Sequence, residues 1–146
     1  MKEKKEKKDQ EKTKTRILVV DDHDIVRKGL TLLINQEPDL MVCAEAENGE
    51  NIFELIENHK VDLAIIDISL NDTDGIELTQ KVKSRYPHLP VLILTMHNEA
   101  IYSEKAFEAG AGGYIKKQEA AETIITAIRL MLSSRGYTSV RMAEKL

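Results

Sequence analysis

Leu63-Ala64-Ile65-Ile66-Asp67 is the stretch from which the fold can be read. Four successive apolar residues without polar alternation describe a strand buried on both faces, and such strands belong to parallel sheets covered by helices on each side. A second apolar run, Ile17-Leu18-Val19-Val20, ends in the same way, in Asp21-Asp22. Doubly wound sheets bind ligands at the carboxyl ends of their strands, so the two runs deliver three carboxylates to one candidate site.

Outward from these two runs, short apolar segments alternate with segments of helical period. Strands are predicted at Ile17–Val20, Leu40–Ala44, Leu63–Asp67, Val91–Thr95 and Gly113–Lys116. Between them, Val26/Leu30/Leu33, Ile52/Leu55/Ile56, Leu78/Val82/Tyr86 and Ala121/Ile124/Ile128/Leu132 recur at spacings of three or four, one apolar stripe per helix. Glu99–Ala109 is a weaker helix with few large apolar groups. Pro87 and Pro90 bracket the approach to the fourth strand, Gly110 suits a helix C-terminus, and Asp74-Gly75 opens a helix. Single helices between strands imply right-handed crossovers and an α/β fold: a (βα)5 doubly wound parallel sheet of five strands in the flavodoxin-like order 2-1-3-4-5.

Bulk composition narrows the function classes. At 146 residues the chain suits one domain of ordinary size. Cys43 is the only cysteine, which excludes an intramolecular disulfide, and its apolar surroundings predict a small buried thiol. No run approaches the roughly 20 apolar residues of a membrane span, and the N-terminus has no apolar signal-like region, so a cytoplasmic protein is expected. Residues 1–14 hold seven Lys against four acids, leaving fourteen basic residues against twenty-one acidic ones. The acidic body disfavours direct nucleic-acid binding, and the 1–14 tail reads as a solvated extension ahead of a domain at 15–135. Residues 136–146 read as the start of an interdomain linker, with Ser139 a plausible N-cap.

The strand ends carry the chemistry. Asp21 and Asp22 follow the first strand, Asp67 ends the third, Thr95 ends the fourth, and Lys116-Lys117 follow the fifth. Clustered carboxylates repel unless a cation is present. Oxygen ligands suit a hard divalent ion, and Mg²⁺ is favoured because it takes one or two carboxylates together with waters and a phosphoryl oxygen. Three carboxylates, one divalent ion and one lysine sum to zero formal charge. An acyl phosphate on Asp67 would add roughly one further negative charge, met by Lys117, Thr95 and the metal. The arrangement points to phosphoryl transfer with a carboxylate as nucleophile.

Each residue also has a plainer reading. Asp21 and Asp22 could cap the helix that begins near His23, and Thr95 alone is an ordinary strand residue. Tyr114 alone is a packing aromatic. The histidines His23, His59, His88 and His97 are scattered without zinc-type spacing. It is the convergence of three acids and a lysine on adjacent strand ends that outweighs these readings.

The motifs LVVDD, D-I-S-L-x-x-x-D-G over Asp67–Gly75, LILT ending at Thr95, and G-A-x-G-Y-x-x-K over Gly110–Lys117 resemble those of a response-regulator receiver domain. The resemblance implies that Asp67 is the phosphoacceptor and Asp22 a direct Mg²⁺ ligand, with Asp21 acting mainly through a water on the metal. It further implies the backbone carbonyl of Ser69 as a ligand, Thr95 as the switch hydroxyl, Tyr114 as the coupled aromatic, and Lys117 rather than Lys116 as the site lysine. Two departures stand out: Asn71 where the family usually has Pro, and Gln118 where many receivers have a cis-Pro. His97 and Ser69 are expected to shape water access and so tune dephosphorylation.

On this resemblance the protein is a signalling switch, not an enzyme beyond the chemistry of its own modification. A sensor histidine kinase is the expected donor, and a homodimer on phosphorylation the expected response. The tail beginning Gly136-Tyr137 is similar to the linker of NarL/FixJ-type regulators, in which a LuxR-like helix-turn-helix follows the receiver. DNA would be reached only through that further domain. The alternatives are a stand-alone receiver acting as a protein-interaction module and an aspartyl-phosphate phosphatase, which usually needs a cap domain. A flavodoxin-like nucleotide binder would need a Ser/Thr/Gly-rich phosphate loop where Asp21-Asp22 stand.

Overall fold

The computed structural model describes residues 14–68, 74–96 and 100–133. The expectations placed on the 1–14 tail (apart from Lys14), on Ser69, Asn71, His97 and Ser139, and on the 136–146 linker lie outside the described residues.

The elements alternate along the chain as β1 (Thr15–Val20), α1 (Asp24–Asn35), β2 (Leu40–Ala46), α2 (Ile52–His59), β3 (Leu63–Asp67), α3 (Gly75–Arg85), β4 (Val91–Thr95), α4 (Ala100–Glu108), β5 (Gly113–Lys116) and α5 (Ala120–Leu132). The sheet is parallel throughout, in the order β2-β1-β3-β4-β5. β3 and β4 are buried at every residue, which is why their sequences are apolar without alternation.

Alternate side chains of each strand feed two cores. Leu18, Val20, Ala64, Ile66, Val91, Ile93 and Tyr114 pack with Ile52, Ile56, Leu78, Val82 and Ala106, so α2, α3 and α4 cover that face. Ile17, Val19, Leu63, Ile65, Leu92, Leu94 and Ile115 pack with Leu30, Ile34, Ala120, Ile124, Ala127, Ile128 and Met131, so α1 and α5 cover the other.

Three local expectations change. The α5 stripe is turned from the predicted one: Ala120, Ile124, Ala127, Ile128 and Met131 are buried, while Ala121 is exposed and Leu132 only partly covered. On α1 the buried residues are Leu30, Ile34 and, unexpectedly, Arg27, with Val26 and Leu33 half-buried. Cys43 is half-buried instead of buried, because the β1–β2 register slips between Ile17 and Leu18 and leaves Cys43 as the extra residue on the edge strand. Its Sγ lies 3.5 Å from the carbonyl of Ile17.

Two glycines are required by geometry. Gly110 has φ 103°, and the hydrogen bonds from Ala111 N–H to Ala106 O and from Gly110 N–H to Phe107 O, both 3.0 Å, close α4 in a Schellman arrangement. At Gly75 a Cβ would stand 2.5 Å from Ile68 Cα and closer still to the carbonyl oxygen of Asp67, so the start of α3 lies against the end of β3. The Asp74 carboxylate accepts the N–H of Ile76 at 2.9 Å and caps that helix.

Candidate functional site

The carboxyl ends of β1, β3, β4 and β5 bring the expected residues together on one edge. Asp21 extends β1, its N–H donating to Ala46 O at 3.0 Å, and its side chain is fully buried. Asp67 ends β3 and is also fully buried. Lys117 is the first residue past β5, in a 3-10 turn over Lys117–Glu119, with its side chain only 7% exposed. Its Nζ donates to Asp67 Oδ2 at 2.8 Å and to Asp21 Oδ1 at 3.0 Å. Lys117 thus joins β5 to β1 and β3. Burial works to lower its pKa, but the hydrogen bonds and charges of Asp67 and Asp21 prevail and raise it, so the ammonium is held in its charged form.

Asp21 does not cap α1 by its side chain. The N-cap is His23, without a side-chain cap bond, and Asp21 Oδ1 instead accepts the N–H of His23 at 2.8 Å. Arg27 fixes the backbone beneath, its Nη1 donating to the Asp21 carbonyl at 2.6 Å and its Nη2 to Asp24 Oδ1 at 2.6 Å. Glu45 on β2 adds a contact at 3.3 Å to Nε. Burial of Arg27 disfavours its charge, yet the bond to Asp24 and the charges of Asp24, Glu45 and Glu47 raise its pKa.

Thr95 is fully buried at the end of β4, paired in register with Lys116 of β5. Tyr114 is 5% exposed and pairs with Ile93, inside the core beneath α2–α4. Strand alternation places Thr95, two residues after Ile93, on that same face.

The residues present fit a divalent cation. Asp21 Oδ2 and Asp22 Oδ1 are buried and have no hydrogen-bond partner, a costly arrangement for carboxylate oxygens unless a cation meets them. Asp21, Asp22, His23 and Asp67 each offer one ligand atom, all within 4.8 Å of one another. Asp22 Oδ1 stands 3.0 Å from His23 Nδ1 without hydrogen-bond alignment. Oxygen donors of this kind suit Mg²⁺.

The sequence reading set His23 aside as one of four scattered histidines, although it immediately follows the acid pair, and did not single out Arg27. Arg27 stands three before Leu30 and seven before Ile34, a charged residue in a buried stripe, and such a residue requires partners.

An edge-facing acid cluster with a buried lysine on a 2-1-3-4-5 parallel sheet defines a class of signalling domain, and comparison with known proteins agrees. The family model described as the response regulator receiver domain matches residues 17–129. The transcriptional regulatory protein DegU of Brevibacillus brevis is 32% identical over 133 residues, covering 91% of this chain and 56% of DegU. Response regulator GacA of Pseudomonas aeruginosa is 32% identical over 131 residues, covering 90% of this chain and 61% of GacA. Among solved structures, a LuxR-family two-component response regulator from an Aurantimonas species aligns with TM-score 0.79 and 33% identity, over 90% of this chain and 98% of that one. The signal receiver domain of NarL from Mycobacterium tuberculosis aligns with TM-score 0.73 and 30% identity, over 79% and 93%. The chain belongs to the response regulator receiver family of two-component systems, in its LuxR-type branch. It spans little more than half the length of the curated relatives it matches. Among the described residues no helix is long and apolar enough to cross a membrane.

Proposed function

We propose that the domain is a phosphoacceptor switch in which Asp67 is the nucleophile. The carrying observation is the Asp67 carboxylate itself: fully buried, bound by Lys117 Nζ at 2.8 Å, and beside two acids with buried, unpartnered oxygens. A carboxylate oxygen of Asp67 attacks the phosphorus of a phosphohistidine, a P–O bond forms as the P–N bond breaks, and the kinase imidazole leaves with a proton from solvent. Asp22, Asp21, Asp67 and the backbone of Ser69 would hold Mg²⁺. When bound, that ion supplies positive charge to the phosphoryl oxygens as negative charge shifts onto them. Lys117, whose Nζ already donates to Asp67 Oδ2 at 2.8 Å, would donate to the phosphoryl group.

The doubly charged product draws the Thr95 hydroxyl toward it, and Tyr114, on the same sheet face, moves into the space released. The face made by α4, β5 and α5 then changes shape. A sensor histidine kinase would supply the phosphoryl group and a homodimer would follow. The receiver at 15–135 would control a helix-turn-helix reached through the linker at 136–146, in the cytoplasm, with DNA contacted only by that domain. His97 and Ser69 would set the lifetime of the acyl phosphate. With acetyl phosphate and Mg²⁺ the intact mass should rise by one phosphoryl group that hydroxylamine removes. Asp67→Asn should abolish the gain while leaving the circular dichroism spectrum unchanged; undiminished labelling of that variant refutes the assignment.

A further inference from the structure

Arg27 has no role in the switch just described, yet its guanidinium grips the peptide that joins Asp21 to Asp22. The residue is 8% exposed and lies in the buried stripe of α1 with Leu30 and Ile34, where an apolar side chain would avoid the cost of burying a charge. Nη1 donates to the Asp21 carbonyl oxygen at 2.6 Å in a buried bond, while Nη2 donates to Asp24 Oδ1 at 2.6 Å and Nε lies 3.3 Å from Glu45 Oε1. The side chains of Asp24 and Glu45 are 62% and 38% exposed, so water could serve them in its place. The Asp21 carbonyl is the partner at the buried end. Turning that planar peptide would change ψ of Asp21 and φ of Asp22 together and swing both carboxylates. Among the atoms that would swing are Asp21 Oδ2 and Asp22 Oδ1, both buried and without a hydrogen-bond partner. The Asp21 N–H is tied to Ala46 O at 3.0 Å, and Arg27 ties the carbonyl on the other side of the residue.

We propose that Arg27 is a positioning residue of the phosphoacceptor site: by holding the Asp21–Asp22 peptide it aims the two carboxylates at one point and so sets the affinity for the divalent ion. The inference rests on reading the acid cluster as a metal site, as above. Arginine suits the task because its planar fork binds the carbonyl and Asp24 at once, and Glu45 extends the hold to β2. Charge alone predicts the opposite of alignment. A guanidinium near the acids repels a cation, so its removal would tighten cation binding on Coulomb grounds, whereas loss of alignment weakens it.

Mg²⁺ titration of the whole unphosphorylated chain, followed by amide chemical shifts at a temperature where circular dichroism shows each variant folded, separates the two. Arg27→Met should bind Mg²⁺ about tenfold more weakly, the lower end of the range for removing a group that orients metal ligands. Arg27→Lys keeps the charge but not the fork and should fall between the unsubstituted protein and Arg27→Met; it decides the matter alone if Arg27→Met does not fold. In labelling by acetyl phosphate the half-saturating Mg²⁺ concentration should rise in the same proportion, and the rate at saturating Mg²⁺ should change less. Unchanged or tighter Mg²⁺ binding in a folded variant overturns the inference and leaves the metal-site reading standing. No Mg²⁺ binding by the unsubstituted protein overturns both.

Discussion

Lys117 Nζ lies between two fully buried carboxylates, and its removal would take away the ammonium that Asp21 and Asp67 share. Taking away one partner of a buried ion pair costs about 3–5 kcal/mol. The mouth of this site is open at the half-exposed His23, so Lys117→Met should cost less, about 1–3 kcal/mol in urea denaturation without divalent ions. Millimolar Mg²⁺ should recover most of that loss, since an ion bound only by the folded state stabilises it by mass action. A loss unaffected by Mg²⁺ would show that the acids do not share a cation. Cys43 gives a second expectation at this scale. Burial raises its thiol pKa, with Arg16 opposing, so the thiolate is disfavoured in the fold. Iodoacetamide modification should rise with pH around a midpoint above the free-thiol value of about 8.5, and stability carried by the protonated thiol should fall as pH climbs through that range. An unshifted alkylation midpoint would contradict this. Asp21, Asp67 and Lys117 were legible in the sequence because strand ends have fixed addresses in a doubly wound sheet. The His23 ring was not, because its direction depends on where α1 starts, and the sequence placed that start only near His23.

At the scale of elements, the junction of β3 and α3 has the least room for change. Gly75 N–H donates to Ile68 O at 3.1 Å, and a Cβ there would collide with the backbone that carries Asp67. Backbone atoms cannot yield as a flexible side chain does. Gly75→Ala should therefore cost about 1–3 kcal/mol, as overpacking does, and should slow phosphorylation by acetyl phosphate under conditions where the protein is still fully folded. Denaturation and labelling rate measured together separate the two effects; normal labelling would mean that α3 can withdraw without disturbing Asp67. Periodicity located four helices, the weaker Glu99–Ala109 segment forms α4, and the strands were placed to within two residues. It misjudged the faces of α1 and α5 by one position, since alanine and arginine carry little weight in an apolar stripe. Ala120 and Ala127 are nonetheless buried because α5 packs close to the sheet, and Arg27 because Asp24, Glu45 and the Asp21 carbonyl receive it.

Across the whole molecule the two faces of the sheet are unequally tied. α5 buries Ala120, Ile124, Ala127, Ile128 and Met131, and Arg129 holds Asp39 through two bonds of 2.8 and 3.0 Å with Glu37 at 3.0 Å, fastening the helix to the turn before β2. α4 has Ala106 as its one fully buried side chain among the described residues, with Tyr102 and Phe107 packed alongside and Ile101 54% exposed. An element with little buried apolar surface opens at lower free energy than one anchored in the core. Amide hydrogen exchange should therefore be faster in α4 than in α5 before phosphorylation. Thr95 and Tyr114 lie on the face that α4 covers, so an acyl phosphate on Asp67 would act on the more weakly held side, where a modest gain in contact energy would shift its population. Acetyl phosphate with Mg²⁺ should change exchange in α4 and β5 by more than in α1, and Thr95→Ala should remove most of the change while leaving labelling of Asp67 in place. Equal changes on both faces would mean that the sheet moves as one body, and the route from Asp67 through Thr95 to Tyr114 would have to be abandoned.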